Sequence, residues 1–323
     1  MLTRRRQYLL TGVTALGGLG LFAIAVRSVG LAPISDGIRR VGWGLLPILA
    51  LGGVRFACRA EAWRQCMRAE ARLPFAPALA AFLAGDAVGS VTPFGLAASE
   101  PTKAFLSRHR LATADAVSSL ATDNLVYAAS ALAMVAVGVA VLLATVPLPF
   151  QWQEWGAAAI VLIVAAVLAG LRLLRGTWSP EQGARPAWRE RLAGVRQSVL
   201  GFSTANPGRL WRAFGLGLAF HALAVVEVFI TLGWIHPGEA PTFSQSVVFE
   251  ALNRVQTLAF KFVPFRIGVD EALTGALAPA LALPAAVGVT LAIVRKVRNL
   301  FWAGLGLALM AGSARGGSAT DRP

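Results

Sequence analysis

The sequence is short of charge. Only 14% of its 323 residues are Asp, Glu, Lys or Arg, against 56% hydrophobic residues and a mean hydropathy of +0.63. Soluble domains carry roughly 25% charged residues, so a water-soluble globular protein is excluded. Cysteine is nearly absent, and Cys58 and Cys66 form neither a metal-ligand spacing nor a disulfide framework. Histidine is limited to His109, His221 and His236, so no metal centre is expected. There is no G-x-x-x-x-G-K-[ST] loop, which excludes a P-loop nucleotide motor, and no cofactor is expected.

Long apolar runs are what the chain has in quantity. Windows such as 129–146 and 155–174 reach the ~18 residues of a membrane-spanning helix. Arg4, Arg5 and Arg6 precede the first run as in a signal peptide, but no A-x-A-like site follows, so this run is read as a true first helix. The formal charge of +14 belongs to basic residues clustered between apolar runs, where the positive-inside rule puts them. Nucleic acid is not an expected partner.

The runs fall at about 8–26, 41–58, 74–91, 116–144, 155–174, 209–235, 244–263 and 285–311. Lys103, Arg108 and Arg110 in one loop, and Arg185, Arg189, Arg191 and Arg196 in another, mark cytoplasmic sides. The connections at 145–154 and 236–243 have no Lys or Arg and should face outward. Arg27, Arg39 and Arg40 argue against this threading, since 27–40 is needed outside. Basic residues flank 74–103 on both sides, so that run must enter and leave on one side, as a re-entrant hairpin.

Two stretches break the apolar pattern. TPFGLAASEPTKAF, Thr92 to Phe105, aligns without a gap on VPFRIGVDEALTGAL, Val263 to Leu277, when Pro93 is set on Pro264, an offset of 264 − 93 = 171. Glu100 then meets Glu271, and the same offset lays 41–58 on 212–229 and 116–140 on 287–311. The expected fold is an all-α integral membrane protein built as an inverted repeat. Each half has about three spanning helices and one broken re-entrant hairpin: 1–145 with its hairpin near 74–103, and 146–312 with its hairpin near 244–284. Residues 313–323 form a short polar tail to this single membrane domain.

Irregular backbone at membrane depth must be buried in protein or line a wet cavity, which makes each break a candidate site. Ser99 and Asp270 are expected to cap half-helices whose N-termini attract an anionic or polar headgroup. Glu100 and Glu271 follow in the first turn; they either satisfy those N-termini or serve transport. Arg295, Arg298 and Asn299 share a face of the last run, with Lys296 pointing elsewhere; these charges are expected to pair with Asp270, Glu271 or Glu100, to bind the phosphate of an anionic ligand, or both. Asp123 and Asn124 occupy the matching depth in the first half. Glu250, Asn253 and Arg254 cluster at i, i+3 and i+4, where an internal Glu250–Arg254 pair is the simplest reading, with Lys261 beyond them. Asp86, His221 and Glu227 lie far from any loop; His221 is read as a hydrogen-bonded structural residue. Trp152, Trp155, Trp211 and Trp234 suit an interfacial belt, and 179–200, with Trp188, suits a helix lying on the cytoplasmic leaflet.

TPFGLAASEPTKAFL resembles the Thr-Pro-Phe, small-residue, Glu-Pro, basic signature of the flippase-like proteins grouped as the lysylphosphatidylglycerol synthase transmembrane region, and VPFRIGVDEA resembles their second signature. The resemblance implies two inverted halves around a lipid cavity. It carries over Pro93, Glu100, Pro101 and Lys103 in the first motif, and Pro264, Gly268 and Glu271 in the second. Ala98-Ser99 replaces the usual Gly-Gly. The soluble aminoacyl-transfer domain of full synthases is not expected, so the chain is read as a transporter rather than an enzyme.

The expected function is translocation of a lipid with an anionic or polar headgroup between leaflets. The expected location is a bacterial cell (inner) membrane, multi-pass, with the N-terminus cytoplasmic. The candidate site comprises Pro93, Ser99, Glu100, Lys103, Asp123, Asn124, Arg254, Pro264, Gly268, Asp270, Glu271, Arg295 and Arg298. The rival readings are a membrane transferase acting on a lipid donor, with Glu100 or Asp123 as base, and a non-catalytic scaffold for lipid-biosynthesis enzymes.

Overall fold

The structure is a computed structural model that describes residues 27, 31–92, 95–147, 149–175 and 187–317. The first apolar run at 8–26, the side of the N-terminus, Pro93, Arg185, the side chains of Trp188, Arg189 and Arg191, and the end of the polar tail lie outside the described residues. Among the described residues the regular structure is entirely helical.

The first helix, α1 (Leu31–Val41), passes through a 3-10 turn at Gly42–Gly44 into α2 (Leu45–Gln65). A loop was expected at 27–40. Instead Ile34, Gly37 and Val41 form a buried stripe at helical spacing, and Arg40 donates to the Ile235 carbonyl at 3.5 Å. The basic residues of this segment therefore sit on a helix, not a free loop. Helices α3 (Phe75–Val91) and α4 (Gly95–Ser107) fold back on each other as a hairpin. Their approach is so close that a Cβ at Gly95 would lie 2.7 Å from the Gly89 carbonyl oxygen. Small residues at the contact make this possible.

The next element, α5 (Thr113–Thr145), is followed by α6 (Phe150–Arg175), α7 (Ala187–Ala205) and α8 (Pro207–Ile235). A second bent segment comprises α9 (Phe243–Ala259), a turn at Pro264–Arg266 and α10 (Val269–Leu277). The Thr242 hydroxyl caps α9 by accepting from the Gln245 N–H, and the Gln245 side chain accepts from the Thr242 N–H. A 3-10 turn at Ala278–Leu281 leads to the last helix, α11 (Ala285–Gly317).

Ile34–Gln65, Thr113–Thr145 and Pro207–Ile235 are each long and apolar enough to cross a membrane. Moved by 171 residues, α2 falls across α8, α3 on α9, α4 on α10 with its following turn, and α5 on α11. Packing alternates in the same way. Helix α2 lies along α8, α3 packs on α11, and α9 packs on α5. Gly306 of α11 meets the Leu83 carbonyl of α3, and Gly138 of α5 meets Ala251 of α9.

One apolar core gathers Ile48, Val228, Leu232, Phe249 and Leu291 near one end of the bundle. Another holds Trp63, Met67, Leu73, Phe82 and Leu120 near the hairpin of α3 and α4. Between them the interior is charged. Trp155 and Trp211 are more than two thirds exposed, as an interfacial belt requires, whereas Trp234 lies against Gly44 and is part of the packing.

Candidate functional site

Both motifs border a polar cavity of about 290 Å³. The hairpin supplies Asp86, Ser99, Glu100 and Lys103, while α2 supplies Arg55 and Arg59. Asn124 and Tyr127 come from α5, Asn253 and Arg254 from α9, and Arg298 and Asn299 from α11. Lys261, Phe265 and Arg266 close it from the second break. Phe56, Phe82 and Phe220 give the walls an aromatic component.

The first motif folds differently from expectation at one point. Helix α4 begins at Gly95, so Ser99 stands inside the helix and does not cap it. Two alanines before Ser99 are strong helix formers and carry the helix through. Pro101 is tolerated although it offers no N–H to the carbonyl four residues back, and Thr102 donates to the Ala98 carbonyl at 2.8 Å. Glu100 thereby moves to the second turn, where its Oε1 accepts from Lys103 Nζ at 2.9 Å. Its Oε2 is buried without a hydrogen-bond partner. Lys103 also lies 4.1 Å over the Phe82 ring.

The second motif is built around a strained turn. Phe265 and Arg266 both have φ of 49°, and Gly268 has φ of 83°. Gly268, not Asp270, is the residue that precedes α10, and its N–H donates to Glu271 Oε2 at 2.8 Å. The strain is held by side chains. Arg266 Nε pairs with Asp270 Oδ1 at 2.8 Å, and its Nη atoms donate to Thr257 and Asn253. Lys296 donates to Glu271 Oε1 at 2.6 Å and to the Arg266 carbonyl at 3.4 Å. Glu271 is therefore fully buried behind the cavity, satisfied by a helix N-terminus and a lysine.

Three further ion-pair groups support the cavity walls. Asp123 accepts from Arg59 through both oxygens, at 3.3 and 2.7 Å, and Arg59 stacks 4.1 Å over the Tyr127 ring. Glu227 is shared by Arg55, at 2.8 Å, and Arg298. Glu250 is shared by Arg254, at 2.8 Å, and Arg295, at 3.6 Å, and accepts from the Asn253 amide. The expected Glu250–Arg254 pair is thus present. Arg295 and Arg298, however, reach Glu250 and Glu227 rather than the motif carboxylates, because α11 packs on α3 and α10 while its arginines face α8 and α9. Lys296 alone reaches Glu271. His221 is buried, with Nε2 3.4 Å from the Ser130 hydroxyl and its ring stacked on Tyr127.

Of the expected site residues, Ser99, Glu100, Lys103, Asn124, Arg254 and Arg298 border the cavity. Asp123, Gly268, Asp270, Glu271 and Arg295 stand behind it in the supporting pairs, and Pro264 opens the strained turn. Sequence reasoning missed Arg55, Arg59, Tyr127 and Arg266. Arg55 and Arg59, with Trp63, sit at i, i+4 and i+8 within and just beyond an apolar run, a stripe that marks one buried helix face.

No curated protein and no solved structure is significantly similar to the chain. The profile of the lysylphosphatidylglycerol synthase TM region matches residues 9–306, a span that contains both motifs and every wall of the cavity. The chain therefore belongs to the family of the lysylphosphatidylglycerol synthase transmembrane region.

Proposed function

We propose that this protein moves a lipid between membrane leaflets, with the headgroup held in the polar cavity. The observation that carries this reading is the cavity itself, a charged chamber walled by helices of apolar composition. Ionisable groups at membrane depth are costly and mark substrate paths. Lys103, Arg254 and Arg298 suit an anionic headgroup, and Ser99 and Asn124 offer uncharged polar contacts. Nothing in this reading calls on bond chemistry, and the protein acts as a transporter rather than as a synthase.

The architecture is an inverted repeat in a bacterial inner membrane with the N-terminus cytoplasmic. Its support is the 171-residue register of four helix pairs and the reciprocal packing of α3 on α11 and α9 on α5. In this arrangement α3 and α4 form a re-entrant hairpin from the cytoplasmic side, while α9 and α10 form its counterpart from outside. The two breaks meet at the cavity, and alternating exposure of the halves passes the headgroup across.

Native mass spectrometry of the purified protein tests the cavity. A phospholipid class should copurify with the wild type and be lost from Asn124→Trp, which fills the cavity without removing an ion pair. Equal lipid retention by the two proteins, both folded, contradicts this placement of the headgroup.

A further inference from the structure

The charged groups around the cavity do not cancel. Four carboxylates have one cation each: Asp123 with Arg59, Glu100 with Lys103, Asp270 with Arg266 and Glu271 with Lys296. Asp86 and Lys261 border the cavity with no ion-pair or hydrogen-bond partner among the described residues, and they offset each other in charge. The two remaining carboxylates, Glu227 and Glu250, are each shared by two arginines. Each shared carboxylate leaves one positive charge uncompensated, so the chamber holds an excess of two.

An excess charge in a low-dielectric interior is expensive unless something neutralises it. A second observation points to an acceptor that the protein does not supply. Arg55 is 5% exposed and lines the cavity, and after its Nη1 bond to Glu227 its Nε–H is left without a partner. A buried guanidinium donor of this kind calls for an anionic oxygen. The arginine of the other group, Arg254, also borders the cavity, with its Nη1 donating to the Tyr127 hydroxyl at 2.9 Å.

We infer that the cavity selects a group carrying two negative charges, a phosphate monoester or a pyrophosphate diester, over the singly charged phosphodiester of ordinary anionic phospholipids. This rests on the transport reading for the source of the group, a lipid headgroup. A phosphate monoester carries about −1.5 to −2 at neutral pH and presents three acceptor oxygens, which matches the excess and the unpartnered Arg55 Nε–H. Neutral and zwitterionic headgroups leave the excess uncompensated.

The test uses full-length protein in neutral-lipid nanodiscs and compares binding of phosphatidate, phosphatidylglycerol and phosphatidylcholine with identical acyl chains. Inorganic phosphate, mostly a dianion at the pH of the assay, serves as a lipid-free competitor. Phosphatidate should bind at least ten-fold more tightly than phosphatidylglycerol at pH 7.5 in low salt. Two variants that break no pair should move this ratio in opposite directions. Lys261→Gln lowers the excess to one and should shrink the preference, and Asp86→Asn raises it to three and should widen it.

A ratio near one, a preference for phosphatidylcholine, or the same ratio in both variants overturns the inference. Binding of inorganic phosphate with no lipid preference also overturns the inference, since the group recognised would then come from water and not from a lipid headgroup, and it counts against the transport reading as well. If lipid copurifies and is displaced by Asn124→Trp while the charge ratio is near one, the transport reading stands and only this inference fails.

Discussion

At the scale of the residue, the buried carboxylates divide the work. Glu227 and Glu250 each anchor two arginines, so each is the one carboxylate with which two buried cations pair. Glu227→Gln should therefore destabilise the protein by about 3–5 kcal/mol, the range for breaking a buried ion pair. A thermal-shift assay in detergent checks this, with a large fall in Tm expected. Lys261→Gln, which removes no partner, should leave Tm within a degree or two of wild type. The separation of these roles was only half legible in the sequence. Glu100, Lys103, Arg254 and Arg298 stand out as charges in apolar surroundings, and they border the cavity. Glu271 stands out equally and is buried behind it, because its register against Gly268 and Lys296 depends on a turn with two left-handed non-glycine residues. No sequence signal announces that turn at Phe265 and Arg266.

At the scale of the element, close helix packing decides where the charges sit. A Cβ at Gly138 would lie 2.0 Å from the Ala251 Cβ, and one at Gly306 would lie 2.4 Å from the Leu83 carbonyl oxygen. Gly138→Val and Gly306→Val should each cost about 1–3 kcal/mol through overpacking. Gly304→Ala, on the same helix with nothing near its Cβ, is the neutral control. Urea or thermal denaturation in detergent distinguishes the two classes, and equal behaviour of Gly306 and Gly304 variants contradicts the packing of α3 on α11. Helix existence was readable from hydropathy, and most runs lie within a helix of the structure. Helix ends were less so. Ser99 reads as a cap because serine often is one, yet Gly95 to Ala98 propagate the helix past it. The 31–41 segment reads as a loop from its arginines, yet its apolar stripe at i, i+3 and i+7 buries it as α1.

At the scale of the whole molecule, the proposed inverted repeat requires the two halves to present their breaks to one chamber from opposite sides. Cysteine accessibility in intact cells tests the topology, with Cys58 and Cys66 first replaced by serine. Glu70→Cys and His109→Cys lie just outside the two ends of the α3–α4 hairpin and should both resist an impermeant maleimide added outside. Gly238→Cys, between α8 and α9, should react. Labelling of only one of the first pair would show that the hairpin crosses the bilayer. The 171-residue offset is readable because Pro, Phe and Glu recur, and in the fold the same shift lays helices on helices. The resemblance implies a lipid cavity, but its arginine lining was not legible, because it forms only where α2, α9 and α11 bring distant arginines together.

The central claim is that the cavity carries headgroups across the membrane. The most direct measurement is a liposome assay in which a fluorescent anionic lipid, placed in both leaflets, is bleached from outside by an impermeant reductant. Wild-type protein should expose nearly all the label, while Asn124→Trp and the neutral pair Glu100→Gln with Lys103→Met should leave the inner half protected, as in protein-free vesicles. Equal bleaching by the wild type and both folded variants would contradict the account.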